Sequence, residues 1–179
     1  MPVIQVHDKK FTPYLTVSQI EEQIKRIAGE INREYTGKRP LFIAILNGSF
    51  MFAADLFKEL TVEAEICFIK LASYKGTRST GRVLTSIGLD VSLKDRHVII
   101  VEDIVDTGRT LHFFHNHLQE QGPASITTVA FLRKPSAIEF PVPVEYVGFD
   151  IENKFVVGYG LDYDGLGRNI PGVYQLIEE

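Results

Sequence analysis

"RHVIIVEDIVDTGRTLHFFHNHLQEQG", residues 96–122, changes its hydrophobic period once, and that change decides the fold. "RHVIIVED" (96–103) is an apolar run closed by two acids, the pattern of a strand buried on both faces. "LHFFHNHLQEQG" (111–122) reads as a helix stopped by Gly122. "IVDTGRT" is the turn that joins them.

Working outward, the same unit recurs. "PLFIAIL" (40–46) is a strand-length apolar run that stops at Asn47-Gly48-Ser49, after which "FMFAADLFKEL" continues as a helix. Before it, Ile20, Ile24, Ile27 and Ile31 recur at helical spacing behind a capping box offered by Thr16 with Gln19 or Ser18 with Glu21. "VEAEICFIKLASY" (62–74) is a further strand, "KGTRSTGRV" (75–83) a polar, basic loop expected to be mobile, and 83–89 a short strand. "SITTVAFL" (125–132) precedes Arg133-Lys134-Pro135, and "VEYVGFDI" (144–151) and "FVVGYGLDY" (155–163) are strand-like around a turn at Glu152-Asn153.

Strands alternating with helices imply an α/β fold: a mainly parallel twisted sheet flanked by helices, with ligands bound beyond the carboxyl ends of the strands. The length of 179 residues suits one domain, 1–179. Its helix-poor C-terminal part, from about residue 135 to 179, is expected to form a small hood with the N-terminal segment.

Composition excludes several classes. Net charge is −4 with Lys and Arg scattered, which argues against a nucleic-acid binder. No apolar run is long enough to span a bilayer, and "MPVIQVHDKKFTPYL" lacks the pattern of a secretory leader, so a cytoplasmic protein is expected. Cys67 is the only cysteine, which rules out an intrachain disulfide and makes burial the expected explanation for it. His112, His115 and His117 are close in sequence, but 115 and 117 cannot share a helix face, so surface or interface positions are expected rather than a zinc site. "GYGLDY" and "GLGRNI" begin like dinucleotide fingerprints, yet Tyr163 and Ile170 stand where the third glycine belongs.

The turn carries the chemistry. With Arg109 onward in a helix, residues 106–110 lie at a helix N-terminus, where unpartnered N–H groups and a positive dipole suit a phosphate monoester. Thr107 and Thr110 add hydroxyls, and Gly108 lets the backbone approach closely. Glu102, Asp103 and Asp106 would repel that phosphate, so they must face another part of the ligand. A sugar diol with Mg²⁺ suits carboxylates. The ligand that satisfies both halves is a ribose with a phosphate at one end and reactive chemistry at the other. Any one of these residues alone would be an ordinary capped turn; the ordered combination after "VIIV" indicates a site.

The segment resembles the phosphoribosyl-pyrophosphate (PRPP) signature of type I phosphoribosyltransferases: four apolar residues, two acids, two apolar residues, then Asp-Thr-Gly-x-Thr. The resemblance implies that Thr107, Gly108, Arg109 and Thr110 hold the 5′-phosphate and that Glu102 and Asp103 lie by the ribose hydroxyls and the metal. Asp106 would exchange a proton with the base. Three more stretches resemble the hypoxanthine-guanine branch. "ILNGSFMFAADL" (45–56) is similar to its pyrophosphate loop, implying roles for Asn47 and Gly48 and a non-proline cis peptide at Leu46-Asn47; relatives often carry Lys or Arg at the Asn47 position. "FLRKPS" (131–136) is similar to the segment whose lysine, Lys134 here, donates to the purine 6-oxo group. In "FVVGYGLDY", Phe155 would stack on the purine, Val156 would offer backbone groups and Asp162 would bind Mg²⁺, while Arg168 further on would contact pyrophosphate.

Loop 73–88 begins Ser73-Tyr74, like the family's active-site lid, and "IPGVYQL" departs from the Leu-Pro-Tyr pattern of bacterial relatives. The implied partners are PRPP, hypoxanthine, guanine, IMP, GMP and pyrophosphate, with assembly as a homodimer or homotetramer. Two alternatives share the signature. One is a PRPP-sensing nucleic-acid-binding regulator, disfavoured by the acidic charge and by Lys134, Phe155 and Asp162; the other is a xanthine or uracil transferase.

Overall fold

The computed structural model describes residues 2–73, 84–87 and 89–178. In chain order the elements are β1 (Ile4–Val6), β2 (Lys9–Leu15), α1 (Val17–Glu34), β3 (Leu41–Leu46), α2 (Phe50–Lys58), β4 (Glu65–Ser73) and β5 (Leu84–Ile87). They continue with β6 (His97–Val105), α3 (Arg109–Gln119), β7 (Ser125–Arg133), a 3-10 turn (Pro135–Ala137), β8 (Tyr146–Asp150), β9 (Val156–Val157) and β10 (Val173–Leu176).

Among the described residues the large sheet runs β5-β4-β3-β6-β7-β8, parallel throughout except for β5, which is antiparallel to β4 at the edge. Alternation along each central strand supplies both faces. Phe42, Ala44, Ile99 and Val101 pack with α1 and α2, whereas Leu41, Ile43, Ile45, Val98 and Ile100 pack with α3. Both faces are covered, which is why these strands read as unbroken apolar runs. α1 starts at a capping box, with Gln19 N–H donating to Thr16 Oγ1 at 3.3 Å and Thr16 N–H donating to Gln19 Oε1 at 2.9 Å. Its isoleucine stripe, 20, 24, 27 and 31, is fully buried, and each side chain contributes about 1.5–3 kcal/mol of burial.

Strand order creates the crevice. The chain leaves β3 through α2 toward β4 on one side and leaves β6 through α3 toward β7 on the other, so the connections diverge at the β3/β6 boundary. The two strands pair only from Leu41/Val98 to Ala44/Val101. Beyond that, β3 stays with β4 as far as Leu46, and β6 stays with β7 as far as Val105. A cleft therefore opens between the Asn47 turn and the acids of β6.

The small sheet, β1-β2-β10-β9, is antiparallel and joins both termini into a hood. β8, inside the stretch 135–179, lies in the large sheet beside β7, and the hood takes its C-terminal strands from residues 156–176. The strand expected over 155–163 ends at Val157. Residues 158, 159 and 160 all have positive φ, which breaks the ladder and turns the chain. β6 runs two residues past Asp103, and α3 begins at Arg109. Ser73 ends β4, while Tyr74 and most of the expected lid loop, 74–83 and 88, lie outside the described residues. Cys67 is only partly buried; burial still pushes its thiol above its ordinary value.

Candidate active site

One lip of the cleft is the turn after β3. The Leu46-Asn47 peptide is cis, as the resemblance implies. Asn47 is exposed, and Ser49, fully buried, donates its hydroxyl to the Ile45 carbonyl at 2.6 Å. A Cβ at Gly48 would fall on the Asp103 carboxylate of the opposite lip, so a larger residue there displaces that side chain. The two lips touch at that point.

On the second lip, Glu102 is buried beside Asp103. Loss of water holds its carboxyl well above the usual carboxylate range, and the neighbouring Asp103 charge pushes the same way. Asp103 N–H donates to Glu102 Oε1 at 3.2 Å, and Ile104 N–H donates to Asp103 Oδ1 at 2.8 Å. Asp106, half-exposed, accepts from the Lys134 ammonium at 3.2 Å. Lys134 is buried, and its backbone N–H donates to the Val105 carbonyl at 2.9 Å, so the ends of β6 and β7 hold this pair together. A cation this buried and beside a half-open carboxylate presents one donor and one acceptor side by side.

Residues 107–110 form the turn at the N-terminus of α3. Gly108 is the N-cap of α3 at φ 77°, and a Cβ there would strike the Phe140 carbonyl oxygen. The Thr107 carbonyl accepts from Glu139 and Phe140 N–H groups, each at 3.0 Å, and Thr107 Oγ1 accepts from Arg109 N–H at 3.3 Å. These contacts tie the turn back to the segment after β7. Arg109 lies over the Phe140 ring, 5.6 Å from its centroid. Thr110 is exposed in the first turn of α3.

The third wall is the loop from Phe155 to Arg168. Phe155 is 42% exposed, with the Tyr163 ring edge-on at 5.8 Å and Phe11 tilted against it at 6.2 Å. Val156 is buried in β9, an edge strand of the small sheet, so one side of its backbone is not used by that sheet. Gly160 abuts the Gly48 carbonyl, which brings this loop onto the first lip. Arg168 donates to the Gly160 carbonyl at 2.7 Å and pairs with Asp162 at 2.9 Å, while Gly165 N–H donates to the other Asp162 oxygen at 2.8 Å.

Residues 14–164 match the family model for the phosphoribosyl transferase domain. The chain is 41% identical over 162 residues to a hypoxanthine-guanine phosphoribosyltransferase of Lactococcus lactis, covering 90% of this chain and 88% of that one. The chain belongs to the hypoxanthine-guanine phosphoribosyltransferase family. A hypoxanthine-guanine-xanthine phosphoribosyltransferase of Tritrichomonas foetus is 38% identical over 89% of this chain and 87% of its own. Among solved structures, a hypoxanthine phosphoribosyl transferase of Trypanosoma cruzi superposes with a TM-score of 0.87 at 32% identity, covering 97% and 95% of the two chains. A Staphylococcus aureus hypoxanthine phosphoribosyltransferase gives 0.85 at 35% identity, covering 93% and 91%.

For a member of this family the metal question turns on the donor set. No three His, Cys, Asp or Glu side chains converge into a metal cage among the described residues. Mg²⁺ seldom needs one, because it keeps waters and takes one or two carboxylates together with substrate phosphates. Glu102, Asp103 and Asp162 are hard oxygen donors, and two of them at a time fit that mode. On α3, His112 Nδ1 lies 2.8 Å from the Pro141 carbonyl and His117 Nε2 lies 3.3 Å from Gln121, while burial lowers the pKa of His115. Hollows of about 350 and 420 Å³, lined by residues such as Glu65, Arg96 and Thr61, lie toward the amino ends of the strands and hold none of these groups. Ser49 and Tyr159 lie inside the quoted stretches 45–56 and 155–163, yet the resemblance assigns neither of them a role. No helix of the described residues is long and apolar enough to cross a membrane.

Proposed function

We propose that this enzyme transfers the phosphoribosyl group of PRPP to N9 of hypoxanthine or guanine, giving IMP or GMP and pyrophosphate, with Mg²⁺, as a step of purine salvage. The observation that carries this reading is the pair formed by the Lys134 ammonium and the Asp106 carboxylate, 3.2 Å apart. The 6-oxo group and N7–H of an oxopurine are an acceptor and a donor on one edge, the complement of that pair. Adenine offers an amine where the ammonium needs an acceptor.

In this mechanism the C1–O bond to pyrophosphate breaks with its electrons leaving on oxygen, and the N9 lone pair forms the new bond to C1. Asp106 takes the N7 proton as general base. Thr107, Gly108, Arg109 and Thr110 hold the 5′-phosphate at the N-terminus of α3, and Glu102 and Asp103 orient the ribose hydroxyls. Asn47, Gly48 and Arg168 hold pyrophosphate, whose growing charge Arg168 offsets. Phe155 stacks on the purine, and the backbone of Val156 faces its edge. When bound by Asp162, Glu102 and Asp103, Mg²⁺ supplies further charge neutralisation on the leaving group. We take residues 1–179 as one catalytic domain, cytoplasmic, acting as a homodimer or homotetramer.

The test is pyrophosphate release from PRPP and Mg²⁺ with hypoxanthine, guanine, xanthine, adenine or uracil supplied in turn. Turnover with hypoxanthine or guanine but not with adenine or uracil is expected. No turnover with any base, together with a gel shift of nucleic acid relieved by PRPP, would favour the regulator and overturn this reading.

A further inference from the structure

Gly158, Tyr159 and Gly160 have φ of 97°, 48° and 96° in succession. Glycine reaches this region without steric cost, whereas a tyrosine there is uncommon. The loop's other left-handed positions are Asp164, Gly165 and Gly167, residue types that enter it cheaply. What keeps a tyrosine at 159 is its side chain. The ring is buried, 4.8 Å from the Phe131 centroid, and the hydroxyl donates to Asp55 Oδ2 at 2.6 Å across 104 residues of sequence.

Both ends of that hydrogen bond lead to the pyrophosphate side of the cleft. Asp55 is on α2, the helix that grows out of the Asn47-Gly48 turn. Tyr159 precedes Gly160, which abuts the Gly48 carbonyl and is bonded twice to Arg168, through its carbonyl at 2.7 Å and its N–H at 2.9 Å. We propose that the Tyr159–Asp55 hydrogen bond is a clamp that sets the Asn47-Gly48 turn and Arg168 in register, so that both meet the pyrophosphate of PRPP together. Tyr159 and Asp55 are thus positioning residues for the leaving group and not for the purine. This rests on the function proposed above. Burial and the Asp55 charge both raise the Tyr159 hydroxyl above its ordinary value, so it stays a donor over the working pH range.

Tyr159→Phe keeps the ring on Phe131 and removes only the hydroxyl, and Asp55 retains Lys58 at 2.7 Å and its exposure to water. The expected result is a rise of about fivefold or more in KM for PRPP and in Kd for PRPP and pyrophosphate, with KM for hypoxanthine within about twofold. Asp55→Ala should match it, Asp55→Asn, which keeps an acceptor, should behave like the wild type, and the double variant Tyr159→Phe/Asp55→Ala should be no worse than either single one. An unchanged PRPP affinity in Tyr159→Phe, an equal loss for PRPP and purine, or an Asp55→Asn as impaired as Asp55→Ala would overturn the clamp. Calorimetric PRPP binding makes the comparison independent of the acceptor. If the wild type binds PRPP but turns over none of the bases, the acceptor assignment fails while the PRPP affinities still decide the clamp.

Discussion

Lys134→Met separates what the buried ammonium does for folding from what it does for the base. In the free protein the side chain of Lys134 is 8% exposed and that of Asp106 is 51% exposed, so the ion pair joins a desolvated cation to a carboxylate that water reaches. Removing the cation recovers its desolvation cost, and Asp106 is left facing solvent rather than buried without a partner. The stability of Lys134→Met should therefore lie within about 1 kcal/mol of the wild type, in either direction. Catalysis should respond very differently. A charge-assisted hydrogen bond to the 6-oxo group contributes about 2–3 kcal/mol, which corresponds to about 30- to 150-fold in kcat/KM for hypoxanthine or guanine. Urea midpoints measure the first quantity, and pyrophosphate release measures the second. A variant that kept kcat/KM within about threefold, or lost more than about 3 kcal/mol of stability, would show that Lys134 supports the strand ends and does not select the base.

Two further outcomes test the walls of the cleft. Gly48→Ala should destabilise the protein by about 1–3 kcal/mol, because its methyl group collides with the Asp103 carboxylate. Adding Asp103→Ala should restore most of that loss in a double-mutant cycle of urea midpoints. Glu102→Gln should flatten the pH dependence of stability in metal-free buffer. The Glu102 carboxyl titrates above its ordinary value of 4.5 when folded, so in the wild type the folded state holds more protons above that pH and stability falls as pH rises from there toward the folded pKa. The variant should be the more stable of the two at pH 7; urea midpoints between pH 4.5 and 8 that ran parallel would contradict this.

The parts of the fold legible in the sequence are those whose burial is two-sided. β3, β6 and β7 are covered by helices on both faces, so their apolar runs carry the signal without need of alternation. The hood was harder to read. β1 has three residues, and β2 carries Lys9, Lys10 and Pro13 among its seven, which hides its alternation. After Val157 the chain keeps strand-like composition, but consecutive left-handed residues end the ladder, and Gly158, Gly160, Gly165 and Gly167 were the available sign. The Tyr159–Asp55 bond had no sign at all. Two residues 104 positions apart meet only because β9 returns the chain to the turn that follows β3.

At the site itself, two expectations drawn from residue type are inverted. A lysine followed by proline after a strand is ordinarily a surface residue and an isolated phenylalanine ordinarily core, yet Lys134 is buried and Phe155 exposed. Each inversion costs free energy in the absence of ligand: an ammonium is withheld from water, and an aromatic face is presented to it. The function proposed above accounts for both with one ligand class, a flat heterocycle that covers the ring and offers the ammonium an acceptor at its edge. That is why neither residue was interpretable alone and both became so beside the "VEDIVDTGRT" segment. In the function proposed above, that segment holds the ribose phosphate and Lys134 and Phe155 meet the base, so the three are read together.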